Sequence, residues 1–134
     1  MSEDPVVVSL ERLDIPPGSE VTGWFSVPSR EGLPPEEVTL ALRFRTRGKG
    51  DEDIENVQTV TYTDLVPGQA SDFRFQVPMS PRSYEGVNIK IHWEVSVTAL
   101  WPKTGGWLGK SPQVEGVTEF SVGLIEVPPE TVVE

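Results

Sequence analysis

The chain has 134 residues, a formal net charge of −10 and no cysteine. The length suits one domain with a sizeable core. The acidic balance withholds the attraction on which nucleic-acid and anionic-lipid binding rest, and the missing thiols exclude disulfides, thiolate metal sites and a cysteine nucleophile.

The 13 prolines and 12 glycines fall in clusters between apolar runs, which marks turns rather than low complexity. No segment sustains a helical apolar period. Val6 to Leu13 reads as a first strand. Ile15-Pro-Pro-Gly18 is a turn, with proline presetting φ and glycine supplying positive φ. Glu20 to Val27 is a second strand with Val21, Gly23, Phe25 and Val27 on one face. Gly23 leaves a gap there, as a bulge or a close backbone approach requires. A loop follows from Pro28 to Pro35.

Glu37 to Thr46 alternates cleanly, with Val38, Leu40, Leu42 and Phe44 on one face and Thr39, Ala41, Arg43 and Arg45 on the other. Arg47 to Asp53 reads as a charged, flexible loop, and Ile54 to Thr63 as a strand. After the Val66-Pro-Gly68 turn come the strands Ser71 to Val77 and Val87 to Leu100. In the latter, Ile89, Ile91, Trp93, Val95 and Val97 share the core face, and Lys90, His92, Glu94, Ser96 and Thr98 share the solvent face. Trp101 to Pro112 is a loop. Gly116 to Ile125 closes the domain, with Thr118, Phe120, Val122 and Leu124 on one face. The expected fold is an all-β antiparallel sandwich of seven or slightly more strands, immunoglobulin-like in class. Its core covers about residues 5–125, and 126–134 form a Pro/Glu-rich tail.

Three segments carry a family resemblance: Pro17-Gly-Ser-Glu-Val-Thr-Gly-Trp-Phe25, Phe73-Arg-Phe-Gln-Val-Pro78 with Pro81-Arg-Ser-Tyr-Glu-Gly86, and Ile89-Lys-Ile-His-Trp-Glu-Val95. In order and spacing they resemble the arrestin-like domain family, and are similar in kind to bacterial sporulation-control proteins. The residues concerned are corner prolines, a turn glycine and core aromatics, which specify a sandwich rather than a ligand site. Two-domain arrestins are about twice as long, so the chain looks like a single arrestin-like domain. Members that sense phosphorylated receptors use basic residues near the first strand. Here Glu3-Asp-Pro-Val-Val-Val-Ser-Leu-Glu11 is acidic, and no phosphate-sensing residue carries over. The resemblance implies a non-catalytic adaptor that binds other proteins.

The candidate sites are few. Thr104-Gly-Gly-Trp-Leu-Gly-Lys-Ser111 approaches a phosphate-binding loop but lacks its first glycine and the helix that should follow; it reads as a glycine-rich loop. Trp101 and Trp107 have three readings. They fold back over the open end of the core, they form a partner contact with Leu108, or they make a sugar-stacking platform. The loop Trp101 to Lys110, with Trp101, Trp107 and Leu108, is the candidate contact surface. Asp51, Asp53 and Glu55 read as a solvated acidic loop rather than a calcium site, since Asn56 stands where an EF-hand loop needs glycine. His92 is the only histidine, too little for a zinc site without cysteine and without a serine placed for a hydrolytic triad. Arg43, Arg45 and Arg47 pair with carboxylates, protect an edge, or meet an acidic peptide.

The expected function is therefore a protein-interaction module without cofactor, metal or catalytic residues. It binds an unidentified protein partner, or a second copy, through sheet edges or the Trp-containing loop. A small-ligand or carbohydrate-binding module is the alternative. Met1-Ser-Glu-Asp-Pro5 shows no signal-peptide core and no apolar run approaches ~18 residues, so a cytoplasmic protein without membrane insertion is expected.

Overall fold

The computed structural model describes residues 6–102 and 112–126. Two sheets face each other. The smaller holds β1 (Val7–Leu10), β3 (Glu20–Ser26) and β6 (Ser71–Gln76) in the order β1-β3-β6, all antiparallel. The larger runs from β10 (Ile125–Glu126) through β7 (Tyr84–Glu85), β8 (Lys90–Leu100) and β4 (Glu37–Gly48) to β5 (Asp51–Tyr62). One edge of β8 is shared. Its first residues pair with β7, and from Trp93 onward it pairs with β9 (Gln113–Val122). β2 (Asp14–Ile15) adds to β9, and β10 to β7, as short parallel pairs. The expected antiparallel sandwich is present, with these two parallel additions at its margin.

Alternation accounts for the core. Val21 and Phe25 from β3, and Phe73 and Phe75 from β6, meet Val38, Leu40 and Leu42 from β4 and Trp93, Val95 and Val97 from β8. Trp93 stacks at a tilt with Phe44, 5.1 Å between ring centroids, and its indole N–H donates to the Pro81 carbonyl at 2.9 Å. Apolar area and a satisfied polar atom thus coincide in one side chain. At Gly23 a Cβ would stand 2.0 Å from the Ser9 carbonyl oxygen, so the strand tolerates only glycine where β1 lies against it.

Three expectations need correction. Ile89 is 47% exposed and precedes the strand, because β8 begins at Lys90. Leu124 is exposed as well: Gly123 adopts φ 47° and ends the alternation of β9 after Val122. Arg47 to Asp53 is no loose loop. β4 continues to Gly48, Lys49 and Gly50 adopt φ 47° and 88°, and β5 starts at Asp51. Positive φ at both central residues is the two-residue hairpin turn that matches strand twist. The expected Pro/Glu-rich tail lies outside the described residues apart from Glu126.

Candidate functional site

The outer face of the larger sheet carries its charge chemistry. The register sets Arg43 opposite Glu94 and Arg45 opposite His92 across β4 and β8, and Arg47 opposite Glu52 across β4 and β5. Directly opposed side chains lie close enough to pair. The Glu94 carboxylate accepts from Arg43 Nε and from Arg45 Nη2, the latter at 3.0 Å. Arg43 Nη1 reaches Glu115 at 3.1 Å. Arg45 Nη1 and Arg47 Nε reach the two oxygens of Glu52 at 3.1 and 2.6 Å. Three arginines and three glutamates thus interlock across four strands.

This face is not the open solvent face that the alternation suggests. Glu94 is 1% exposed and Ser96 2%. The Arg43 and Arg45 guanidinium groups bond the Glu94 carboxylate on this face, and long arginine stems can supply apolar cover there. The hydrogen bond from Arg45 to Glu94, followed by their mutual attraction, raises the Arg45 pKa against the opposing cost of burial. The hydrogen bond from Arg47, joined by that from Arg45, lowers the Glu52 pKa below its ordinary 4.5. The arginines singled out in the sequence are therefore occupied by internal carboxylates. Glu94 was not singled out as a site. The signal was the arginine pair that the alternation places beside it, which becomes legible only once β4 and β8 are known to be neighbours.

His92 lies beside this cluster in an open hollow of about 330 Å³ lined in part by Asp14, Ser83, Glu85, Glu119 and Ser121. Its Nε2 is hydrogen-bonded to Glu85, and its Nδ1 stands 4.0 Å from Glu119. It is thus half-buried between carboxylates of β7 and β9, where the edge of β8 passes from one strand to the other, and not an ordinary solvent-facing histidine. The Ser83 hydroxyl, in the same hollow, is buried and accepts the Val122 N–H at 2.8 Å. Among the described residues no group of three or more His, Asp or Glu side chains is placed to hold a metal ion.

Trp101 corrects the proposed contact surface. It is 1% exposed, its indole N–H donates to the Pro28 carbonyl at 3.1 Å, and the Arg30 guanidinium sits over its ring. It closes the open end of the core, and it cannot serve in a sugar platform or a surface contact. Trp107 and Leu108 lie outside the described residues, as does the glycine-rich segment Thr104 to Ser111.

Among the described residues β5 is the longest strand edge open to another molecule. It ends the larger sheet, and its free side pairs with no strand among the described residues. All twelve residues from Asp51 to Tyr62 are in strand conformation, and all but Tyr62 are exposed. Asp51 and Asp53 belong to this strand rather than to a loop. Val57 is skipped by the pairing, which passes from Leu42 opposite Gln58 to Arg43 opposite Asn56. This bulge brings Ile54, across from Arg45, to the outer face.

No protein-family model matches the chain, and no curated protein does. Among solved structures the fold is similar to that of Spo0M, a sporulation control protein from Bacillus subtilis, with a TM-score of 0.56 and 20% sequence identity. The likeness covers 96% of this chain and 51% of that one, so the chain spans about half the length of Spo0M. At this identity the likeness establishes the fold alone, an all-β sandwich.

Proposed function

We propose that this chain is a non-catalytic, cytoplasmic protein-interaction module of arrestin-like fold. Its working surface is the free edge of β5, and it receives a partner by strand addition. The observation that carries this reading is the edge itself. Twelve consecutive strand residues pair along one side with no strand of the described residues, and they include no proline or lysine to block that side. Behind the edge stand β4 and β8, whose two faces are filled by the apolar core and the arginine–glutamate cluster. A rigid backing spares a partner strand the cost of ordering its template. The likeness to a sporulation control protein fits a regulatory role.

The test is a photo-crosslinking residue at Thr59 on β5, compared with the same residue at exposed Met79, in cells that express the chain natively. Adducts formed from position 59 and not from position 79 support the reading. Adducts from neither position, or equal adducts from both, overturn it.

A further inference from the structure

We propose that the partner strand at β5 is β5 of a second copy, paired antiparallel about a two-fold axis so that Asp51 of one copy lies opposite Tyr62 of the other. This inference rests on the edge reading above and names its occupant. Three observations converge on it.

The first is charge. The four acids of β5, Asp51, Glu52, Asp53 and Glu55, all lie in its first half, and the second half, Asn56 to Tyr62, carries no charge. Antiparallel self-pairing of the whole strand therefore sets every carboxylate against an uncharged residue: Glu52 against Thr61, Asp53 against Val60, Glu55 against Gln58. Registers slid toward the Lys49–Gly50 turn bring acid against acid, for example Asp53 against itself, and like charges directly opposed are destabilising. The acids guard the edge against indiscriminate pairing while leaving the full-length register open.

The second is the bulge. Opposed residues in an antiparallel pair must share a sheet face, and their peptide groups must point either both toward each other or both away. The full-length register sets an odd-numbered residue against an even-numbered one throughout, which a regular strand would forbid. The skipped residue at Val57 reverses the phase between the two halves. Asp53 and Val60, which face Thr46 and Leu40 of β4, then share the inner face, and Ile54 and Thr59, which face Arg45 and Ala41, share the outer face. The bulge lies at the centre of the strand, where a two-fold axis would pass.

The third is length. Twelve residues at ~3.4 Å each form an edge of about 40 Å, twice that of the six-residue β6 at the margin of the smaller sheet. Such pairing is isologous and closes on itself, so it yields a dimer and not a fibre.

The experiment is sedimentation equilibrium of the full chain from micromolar to near-millimolar concentration. Wild type is compared with Gln58→Glu/Thr61→Glu, which places carboxylates opposite Glu55 and Glu52, and with Gln58→Lys/Thr61→Lys, which places ammonium groups there. Both positions are exposed, and circular dichroism checks that each variant folds. The expected result is a wild-type dimer, weakened at least about tenfold by the glutamates and tightened by the lysines. Each copy carries −10, so wild-type association should strengthen as salt rises from about 0.01 M to about 0.15 M and the screening length falls from ~30 to ~8 Å. A basic partner strand would show the opposite salt dependence. A wild-type monomer throughout, or a dimer indifferent to both variants, overturns the proposal. If that monomer still gives crosslinks to another protein from position 59, self-pairing fails and the interaction module stands. If it gives none, both fail.

Discussion

β8 and β5 belong to one sheet and have β4 as their common neighbour, yet they are opposite environments. From Trp93 to Val97 β8 is buried on both faces, by aromatic packing on one side and by guanidinium side chains on the other. β5 is exposed on both faces along nearly its whole length. The difference lies in strand order. A central strand spends its backbone groups on two neighbours and its side chains on two layers, whereas an edge strand keeps half its backbone groups and most of its side-chain surface for other molecules. Stability should therefore reside in β8 and binding in β5, and substitutions can separate the two.

The largest effect is expected at Trp93. Trp93→Ala removes the ring packed between Phe44 and Phe120 and orphans the Pro81 carbonyl, and should cost ~3–5 kcal/mol in urea denaturation. Next is Glu94→Ala, on the opposite face of the same strand. Two guanidinium groups lose their shared buried carboxylate, at a cost of about 3–4 kcal/mol; a loss below ~1 kcal/mol would show that water reaches this face. Trp101→Phe keeps the apolar fill at the end of the core but leaves the Pro28 carbonyl unpaired, and should cost about 1–3 kcal/mol.

Acid sharpens the same boundary at Glu52, which links β5 to the arginines of β4. Its folded pKa lies below the ordinary 4.5, so its stabilising contribution is present above 4.5 and is lost as pH falls through the lower folded value. Glu52→Gln should therefore melt below wild type at neutral pH, with the gap closing as pH drops under that value. The smallest effect belongs to the exposed edge. Thr59→Ala should change stability by no more than ~0.5 kcal/mol, while the binding measurements above report on this same strand.

Much of the fold is legible in the sequence because period-2 alternation and turn chemistry are local. Val38, Leu40 and Leu42, and Trp93, Val95 and Val97, announce their shared faces by spacing alone. Gly18 and Gly68 take the positive φ that their proline–glycine turns require. The Lys49–Gly50 turn escaped, because the common signal for such a hairpin is Asn-Gly or Asp-Gly and its charged flanks resemble a loop. The ends of strands escaped at Ile89 and Leu124, where alternation on paper runs beyond the paired residues, before β8 begins and after β9 ends.

The candidate sites were less legible. Trp101 sits beside a glycine-rich segment and reads equally well as a surface anchor or a core plug; the Pro28 carbonyl, distant in sequence, decides for the plug. Glu94 and Ser96 alternate with core residues and therefore read as solvated, yet both are buried, and two arginines from another strand bond Glu94.

The sequence by itself determined which residues share a face, where the chain turns and that the domain is an acidic β-sandwich. Each of these follows from interactions a few residues long. Only the tertiary structure decided which strand is central and which is an edge, what covers the second face of β8, and where the bulge falls in β5. These depend on pairing between segments tens of residues apart. Alternation assigns a residue to a side of its strand, but the neighbours that meet that side are chosen by strand order.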